Sequence, residues 1–368
     1  VSNLINLAGG SSGGGGGGAG GAGSSCSYSA STLADFTHRT QLTVNAGLVA
    51  GSGSHSHFPV WINITHDDLR TVGNGGHMVS TSGYDVAFTA ADGTTQLDFE
   101  IESYDASTGE LQAWVSVPSL STSSDTELFL YFGNDQITSD PSSTQVWQHD
   151  YSWVSHYNGD LLDNSGNSND GTNYGSQSAE GISGNARTFD GNNDRVDHPD
   201  QDFNSGTFSF WFRPDNTINS SLNTSQTLVA KYQNNSNHFT FVLAGSDNDY
   251  DGNSHGVDAG ELYFKIEGDG FAVEPSTTRT WTAGNWYYVV GTWGNDHILY
   301  VNGVEEGYST ANTSLGNNAD FDLGRGIVDQ CSGNNRAFDG RIDEVRLSSS
   351  VRHEDWIETE YNNIANCG

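Results

Sequence analysis

The chain has 368 residues, 46 of them acidic and 13 basic, for a formal net charge of −33. Thirteen scattered cations cannot build the basic face that neutralises phosphates, so nucleic acid is excluded as a partner, and anionic lipid by the same sign argument. No apolar run approaches the ~18 residues of a membrane span, and 9 Trp, 15 Tyr and 17 Phe supply the packed core that disordered acidic chains lack.

Residues 1–25 differ from everything after them. Val1–Ala8 reads VSNLINLA, and Gly9–Gly23 is nearly pure glycine with Ser and Ala. Alone, such a tract does not offset its ordering entropy and acts as a flexible linker. Held by a neighbour it becomes an arm, and Leu4, Ile5 and Leu7 are the candidate anchors into another copy or an adjacent subunit of an assembly. The competing reading is a tail that folds back on its own domain. No basic stretch precedes an apolar one at Val1, which fits either a removed signal peptide or removal of Met alone.

Residues 26–136 read as strands. FTHRTQLTVN, FPVWINIT, YDVAFTA, LDFEIESYD, ELQAWVSVP and ELFLYFG alternate apolar and polar residues with period two, separated by turns at Ala90–Gly93 and Ala106–Gly109. Only His66–Asn74 has room for a helical turn. Six such strands make a β-sandwich. A polar hinge is expected over 137–147, around Pro141.

A second run of strands fills 148–364: RTFDGNNDRVDH, GTFSFWFRP, QTLVAKYQ, HFTFVLAG, GELYFKIEG, NWYYVVGTWG, DHILYVNG and DGRIDEVRLSS, spaced as in antiparallel β proteins. The end, Val351–Asn363, is the one good helix, with Trp356 and Ile357 facing the sandwich and Glu354 and Asp355 near its start. The expected fold class is all-β: two antiparallel β-sandwiches, the second a jelly roll, behind a Gly-rich arm.

Three cysteines, Cys26, Cys331 and Cys367, contain no CxxC pair, which argues against zinc. A Cys331–Cys367 bridge would stabilise by roughly 3–4 kcal/mol. Cys26–Cys367 would tie the chain ends together, and three free thiols are the remaining reading.

The second half resembles a laminin-G-like module of the concanavalin A-like lectin/glucanase superfamily. The carrying motifs are LLDNSGNSNDGT (161–172), ARTFDGNNDRVD (186–197), GTFSFWFRP (206–214), WYYVVGTW (286–293), LYVNGV (299–304) and DGRIDEVRLSSSVRHEDWI (339–357), in the family's order. The resemblance implies a two-sheet jelly roll. The first half resembles a domain of unknown function that precedes such modules in microbial and phage surface proteins, through FPVWINITHDDL (58–69), residues 83–120 and LFLYFGN (128–134).

Glucanases of this superfamily carry an E-x-D-x-x-E strand whose carboxylates flank the sugar bond. The chain has no such pattern. Asp343 and Glu344 are adjacent, so on a regular strand they point to opposite faces. Asp98, Glu100 and Glu102 share a strand face in the first domain and read as an exposed face. There is no G-x-S-x-G elbow. His55 and His57 form a metal-like i, i+2 pair without an evident third ligand, and read as a polar loop.

Calcium is the better cofactor candidate, because hard cations want several oxygens on turn-rich loops. DNSGNSND supplies Asp163, Asn167 and Asp170, and DGNND supplies Asp190 and Asp194. The resemblance implies that a structural Ca²⁺ uses Asp190, Asp194 and Asp343, with Asp163 from the second loop. The same aspartates equally serve as turn caps. The insertion Asp247–Asp258 looks Ca-loop-like but lacks the terminal Glu of an EF-hand.

A sugar site pairs an exposed aromatic with Asn or Asp side chains. The loop aromatics are Tyr174, Tyr232, Tyr250, Trp281 and Tyr308, whereas Trp211, Trp286 and Trp293 fall in apolar runs. The expected function is therefore a non-catalytic structural or surface protein of an extracellular assembly. That means a virion decoration or tail-fibre protein, or a surface-filament subunit, docked through its arm and able to bind surface glycans. A secreted carbohydrate-binding adhesin is the first alternative and a glycoside hydrolase of the same superfamily the second. Location at the extracellular or particle surface follows from any of these.

Overall fold

A computed structural model describes residues 5–7, 33–234, 237–247, 256–267, 271–310, 316, 318–326 and 336–365. Leu4, Tyr250, Cys26, Cys331 and Cys367 lie outside these residues, as does most of the Asp247–Asp258 insertion. The described residues form antiparallel sheets, short 3-10 turns and one α-helix. The chain divides into two units, Val1–His149 with Asn362–Gly368, and Asp150–Tyr361.

The first unit holds a five-stranded sheet in the order Ile5–Leu7, His38–Val44, Thr126–Phe132, Val86–Ala90, Gln96–Leu97, and a three-stranded sheet in the order Ser54–Thr65, Glu110–Ser121, Phe99–Asp105. Alternation fixes the register. Phe58, Val60, Ile62 and Ile64 lie opposite Val117, Val115, Ala113 and Leu111, and all eight are buried. Trp61 and Trp114, opposite each other between them, are buried as well, so this stretch is covered on both faces. Phe88 of the larger sheet meets Phe99 of the smaller, ring centroids 5.1 Å apart. The helical potential of His66–Asn74 is realised as two 3-10 turns, Asp67–Leu69 and Val72–Asn74.

Two expectations are corrected in this unit. Ile5–Leu7 is the edge strand of the unit's own sheet, with Ile5 opposite Val44 and buried. Residues 5–7 therefore pair within their own unit, and an arm anchored in a neighbour gains no support. The stretch 137–147 is not a loose hinge. Ser143 N–H donates to Phe99 O at 2.8 Å, Ile101 N–H donates to Ser142 Oγ at 2.9 Å, and Val146 and Trp147 are fully buried.

The second unit is a two-sheet sandwich. One sheet runs Thr172–Tyr174, Arg195–His198, Phe321–Leu323, Gln226–Asn234, Asn237–Leu243, Leu262–Glu267, Phe271–Pro275. The other runs Gln177–Glu180, Asn185–Asp190, Asp339–Ser348, Gly206–Pro214, Tyr287–Trp293, His297–Val301, Val304–Ser309, with Tyr151–Ser155 also paired to Asp339–Ser348. The core between them is aromatic. Phe210 meets Phe241 edge-on at 5.2 Å, and Phe241 stacks on Phe264 at 4.6 Å, arrangements that favour rings beyond their area burial. Gly291 makes room for this stack: a Cβ there would come 2.6 Å from Phe241 and 2.7 Å from Phe264.

Strand Asp339–Ser348 carries a bulge. Ser209 faces Arg346 but Trp211 faces Asp343, and Glu344 has φ 49°. The expected opposite-face arrangement of Asp343 and Glu344 thus gives way to a kinked segment in which both are buried. The helix spans Glu354–Ala365, with Trp356 and Ile357 buried.

Candidate functional site

The seven-stranded sheet has two chemically different faces. Val196, Phe321, Leu323, Val229, Phe239, Phe241, Phe264 and Ile266 turn to the core. The intervening residues point the other way. The register aligns Thr172, Asp197, Asp322, Ala230, Thr240 and Lys265 as one row across six strands, about 24 Å long at ~4.8 Å per strand.

One end of this row is an aromatic, cation and carboxyl cluster. Tyr174 is 43% exposed. The Arg195 guanidinium lies 3.9 Å from its ring centroid, within cation–π range, and donates Nε–H to Asp197 Oδ1 at 2.8 Å. Asp322 lies directly opposite Asp197. Burial first, and then the hydrogen bond and charge of Asp197, push the Asp322 carboxyl up to about 8. The protonated form of Asp322 is a donor as well as an acceptor. Farther along, Lys265 Nζ sits 3.0 Å from Glu267 Oε2, and the Tyr232 and His238 rings are 5.7 Å apart.

Such a face can hydrogen-bond vicinal hydroxyls and stack on an apolar sugar ring. It is poorly arranged for glycoside cleavage. Retaining and inverting pairs keep their carboxyls about 5–5.5 or 6.5–9.5 Å apart, whereas Asp197 and Asp322 stand directly opposite each other on paired strands, near enough for Asp197 to raise Asp322.

The four sequence-derived aromatics among the described residues separate, Tyr250 lying outside them. Tyr174 and Tyr232 belong to this face. Tyr308 is 51% exposed but lies on Val304–Ser309 of the other sheet, its hydroxyl donating to Asp296. Trp281 is corrected from loop aromatic to core residue: it is fully buried, its indole N–H donating to Gly260 O at 2.9 Å. Arg195, Asp197 and Asp322 were missed. Their signal was present in the alternation of RVDH and FDL, where each polar residue sits between core residues.

Of the aspartates named for Ca²⁺, Asp190 and Asp194 adjoin each other, as do Asp163 and Asp170. Asp190 faces Asp339, four residues along the strand from Asp343, hence ~13 Å away. The Asp343 carboxylate accepts from Ile182, Ser183 and Glu344 N–H. Asp163 accepts from Val154, Ser165 and Asn169 N–H, and Asp170 from Asp163 N–H. Asn167 donates to Ser152 O, Asp190 caps Asn192 and Asn193, and Asp194 accepts from Asp190 N–H. Each of these carboxylates thus accepts from at least one backbone amide, the capping role that the sequence also allowed.

Two further readings change. His55 reaches Ala50 O, while His57, at φ 51°, stacks on His149 at 3.7 Å, so the pair does not converge on one ion. Glu100 and Glu102 are no open face: they accept the indole N–H groups of Trp147 and Trp114 at 2.6 and 2.8 Å. Asp98 accepts from Ser143 Oγ at 3.4 Å.

Behind the sandwich core lies a buried ionic group. Arg346 reaches Glu344 at 2.8 Å and Glu360 at 3.1 Å, His156 Nδ1 lies 2.9 Å from Glu344, and Tyr151 and Tyr288 donate to Glu360. His156 and Arg346 hold the Glu344 carboxyl below its ordinary range despite burial.

Residues 190–358 match the family model of the concanavalin A-like lectin/glucanases superfamily, and residues 82–165 match that of a domain of unknown function, DUF2341, in the order that the sequence motifs implied. The first match falls within the second unit, and the chain is all-β, as that likeness implies. Comparison with curated proteins finds no match. Among solved structures, domain 4 of AbnA, a GH43 extracellular arabinanase from Geobacillus stearothermophilus in complex with arabinotriose, is 22% identical, with a TM-score of 0.46 over 58% of this chain and 98% of that one. The binding domain of Paraclostridial Mosquitocidal Protein 1 is 16% identical (TM-score 0.46, 58% and 52% covered), and the botulinum neurotoxin type G receptor binding domain 11% identical (TM-score 0.41, 58% and 51% covered). The chain spans about half the length of these last two. Among the described residues no helix is long and apolar enough to cross a membrane.

Proposed function

We propose that the concanavalin A-like unit is a carbohydrate-binding module, without catalysis of its own, in a protein that works outside the cell or on a surface. The observation that carries this is the Tyr174, Arg195, Asp197 and Asp322 cluster at one end of the polar row. A pyranose laid against Tyr174 presents its hydroxyls to the carboxyl pair. Arg195 holds the ring and Asp197 in place together. The strongly acidic surface repels anionic glycans, so the reading favours neutral ones. A role as an assembly subunit loses the arm as its argument, because Ile5–Leu7 pairs within its own unit.

The test is a glycan array probed with the full chain, with and without Ca²⁺, followed by calorimetry on the best ligand. Tyr174→Ala and Asp197→Ala are each expected to weaken binding at least tenfold. An array without retained glycans, or unchanged affinity in both variants, overturns the reading. Release of reducing sugar from the bound glycan would replace it by a hydrolase.

A further inference from the structure

The few cations of this chain are drawn into the fold. Lys231 is fully buried, 2.6 Å from both Asp200 and Asp202. Arg346 lies between Glu344 and Glu360, and Arg187 and Arg336 are buried as well. The side chain of Lys265, the other lysine of the chain, is 11% exposed beside Glu267. The surface is therefore poorer in positive charge than a composition of 46 acidic and 13 basic residues already implies.

Carboxylates, by contrast, face one another near the surface of the second unit. Asp190 adjoins Asp194, whose carboxyl is raised by burial and then by the Asp190 charge. Burial first, and then Glu305, Glu354 and Asp296, push the Tyr300 hydroxyl up to about 12. Three exposed carboxylates, from a turn, an edge strand and the start of the helix, thus bear on one hydroxyl with no lysine or arginine among them. Asp296 and Glu305 also bear on the exposed Tyr308.

We propose that the second unit is built for concentrated monovalent salt: counter-cations offset the repulsion between its surface carboxylates, and transfer to dilute buffer loosens the folded state. Salt screens attraction and repulsion alike, so its net effect depends on where each is placed. The Debye length falls from ~10 Å at 0.1 M to ~3 Å at 1 M, whereas buried pairs are screened far less. The attractive pairs of Arg346 have side chains no more than 4% exposed, and the cation between Asp200 and Asp202 is fully buried. The repulsive group of Asp296, Glu305 and Glu354 is exposed. Salt therefore removes more repulsion than attraction, and self-repulsion is what destabilises a compact state of high net charge. The pair of Arg279 with Asp258, 52% and 66% exposed, is one that salt weakens, but exposed pairs contribute little.

The test is thermal unfolding of the full chain, followed by circular dichroism, in KCl and in NaCl from about 0.1 M to about 2 M. The unfolding midpoint is expected to climb by roughly 10 °C or more, equally in the two salts. Sucrose added at the lowest salt separates screening from the general strengthening of apolar burial by excluded solutes, and is expected to raise the midpoint by less. The double variant Asp296→Asn with Glu305→Gln is expected to raise the midpoint at the lowest salt and to leave it unchanged at the highest. Asp258→Asn, which removes a paired carboxylate, is expected to raise it at neither. Glu305→Gln alone carries the same sign should the double variant not fold. A midpoint that is flat or falls with salt, a rise matched by sucrose, or a gain in the double variant that persists at the highest salt overturns the proposal.

Discussion

Acidification is predicted to destabilise the second unit through one histidine. His198 is fully buried. Its Nδ1 bonds to Asn169 O at 2.8 Å, its Nε2 to the Tyr157 hydroxyl at 3.0 Å, and Trp153 covers it at 4.1 Å. Both nitrogens of the neutral ring are satisfied and the charged form finds no water. Burial accordingly lowers the group to about 4 from 6.5. The folded-state value lies below the unfolded one, so the unfolded chain takes up a proton first. The stability is fully present above pH 6.5 and is lost as pH falls towards 4. At 1.36 kcal/mol per tenfold change, the loss by pH 4 is about 3 kcal/mol. Urea unfolding at pH 7 and pH 4 measures it, with His198→Gln as reference, since all other titrations cancel in the difference. A pH dependence in the two proteins that agrees within about 0.5 kcal/mol would refute the reasoning.

Other consequences are as direct. Asp322 behaves oppositely to His198: its raised folded value makes its contribution present below the ordinary carboxylate range and lost as pH rises towards 8, so Asp322→Asn is expected to gain stability relative to the parent between pH 5 and pH 9 in urea unfolding, by up to about 4 kcal/mol at 1.36 kcal/mol per pH unit. Arg346→Met leaves Glu344 and Glu360 buried without their cation, and chemical denaturation is expected to show a loss of about 3–5 kcal/mol. Gly291→Ala drives a methyl into the Phe241 and Phe264 rings, at a cost of about 1–3 kcal/mol by thermal unfolding.

Strands were legible wherever one face is buried and the other is not. Gly206–Pro214 has the bounds that its motif suggested, and the six strand motifs of the first unit all appear. The short strands Thr172–Tyr174, Gln177–Glu180 and Phe321–Leu323 were not foreseen, because three or four residues hold too few alternations to stand out. The site was harder still. Asp197 and Asp322 are 125 positions apart and meet only through the strand order, which no local pattern carries. Trp281 and Ser143 failed in the other sense: polar, turn-rich surroundings suggest exposure, yet tertiary packing buries Trp281 and ties Ser143 to Phe99. The loop aspartates show that one composition serves two chemistries. The same oxygen-rich turns that attract Ca²⁺ also cap their own amides.

The bulge at Glu344 has a consequence for chain length. Ile342 faces the core before it, and Val345 and Leu347 face the core after it, so the parity of inward positions changes from even to odd across one residue. A chain lacking only Glu344 would keep those three apolar residues inward by ordinary alternation. The core would not register the deletion; what would vanish is the carboxylate that His156 and Arg346 hold. The extra residue is an insertion that the apolar ladder ignores, which leaves this position free to carry a charge that a regular strand of the same composition has no place for.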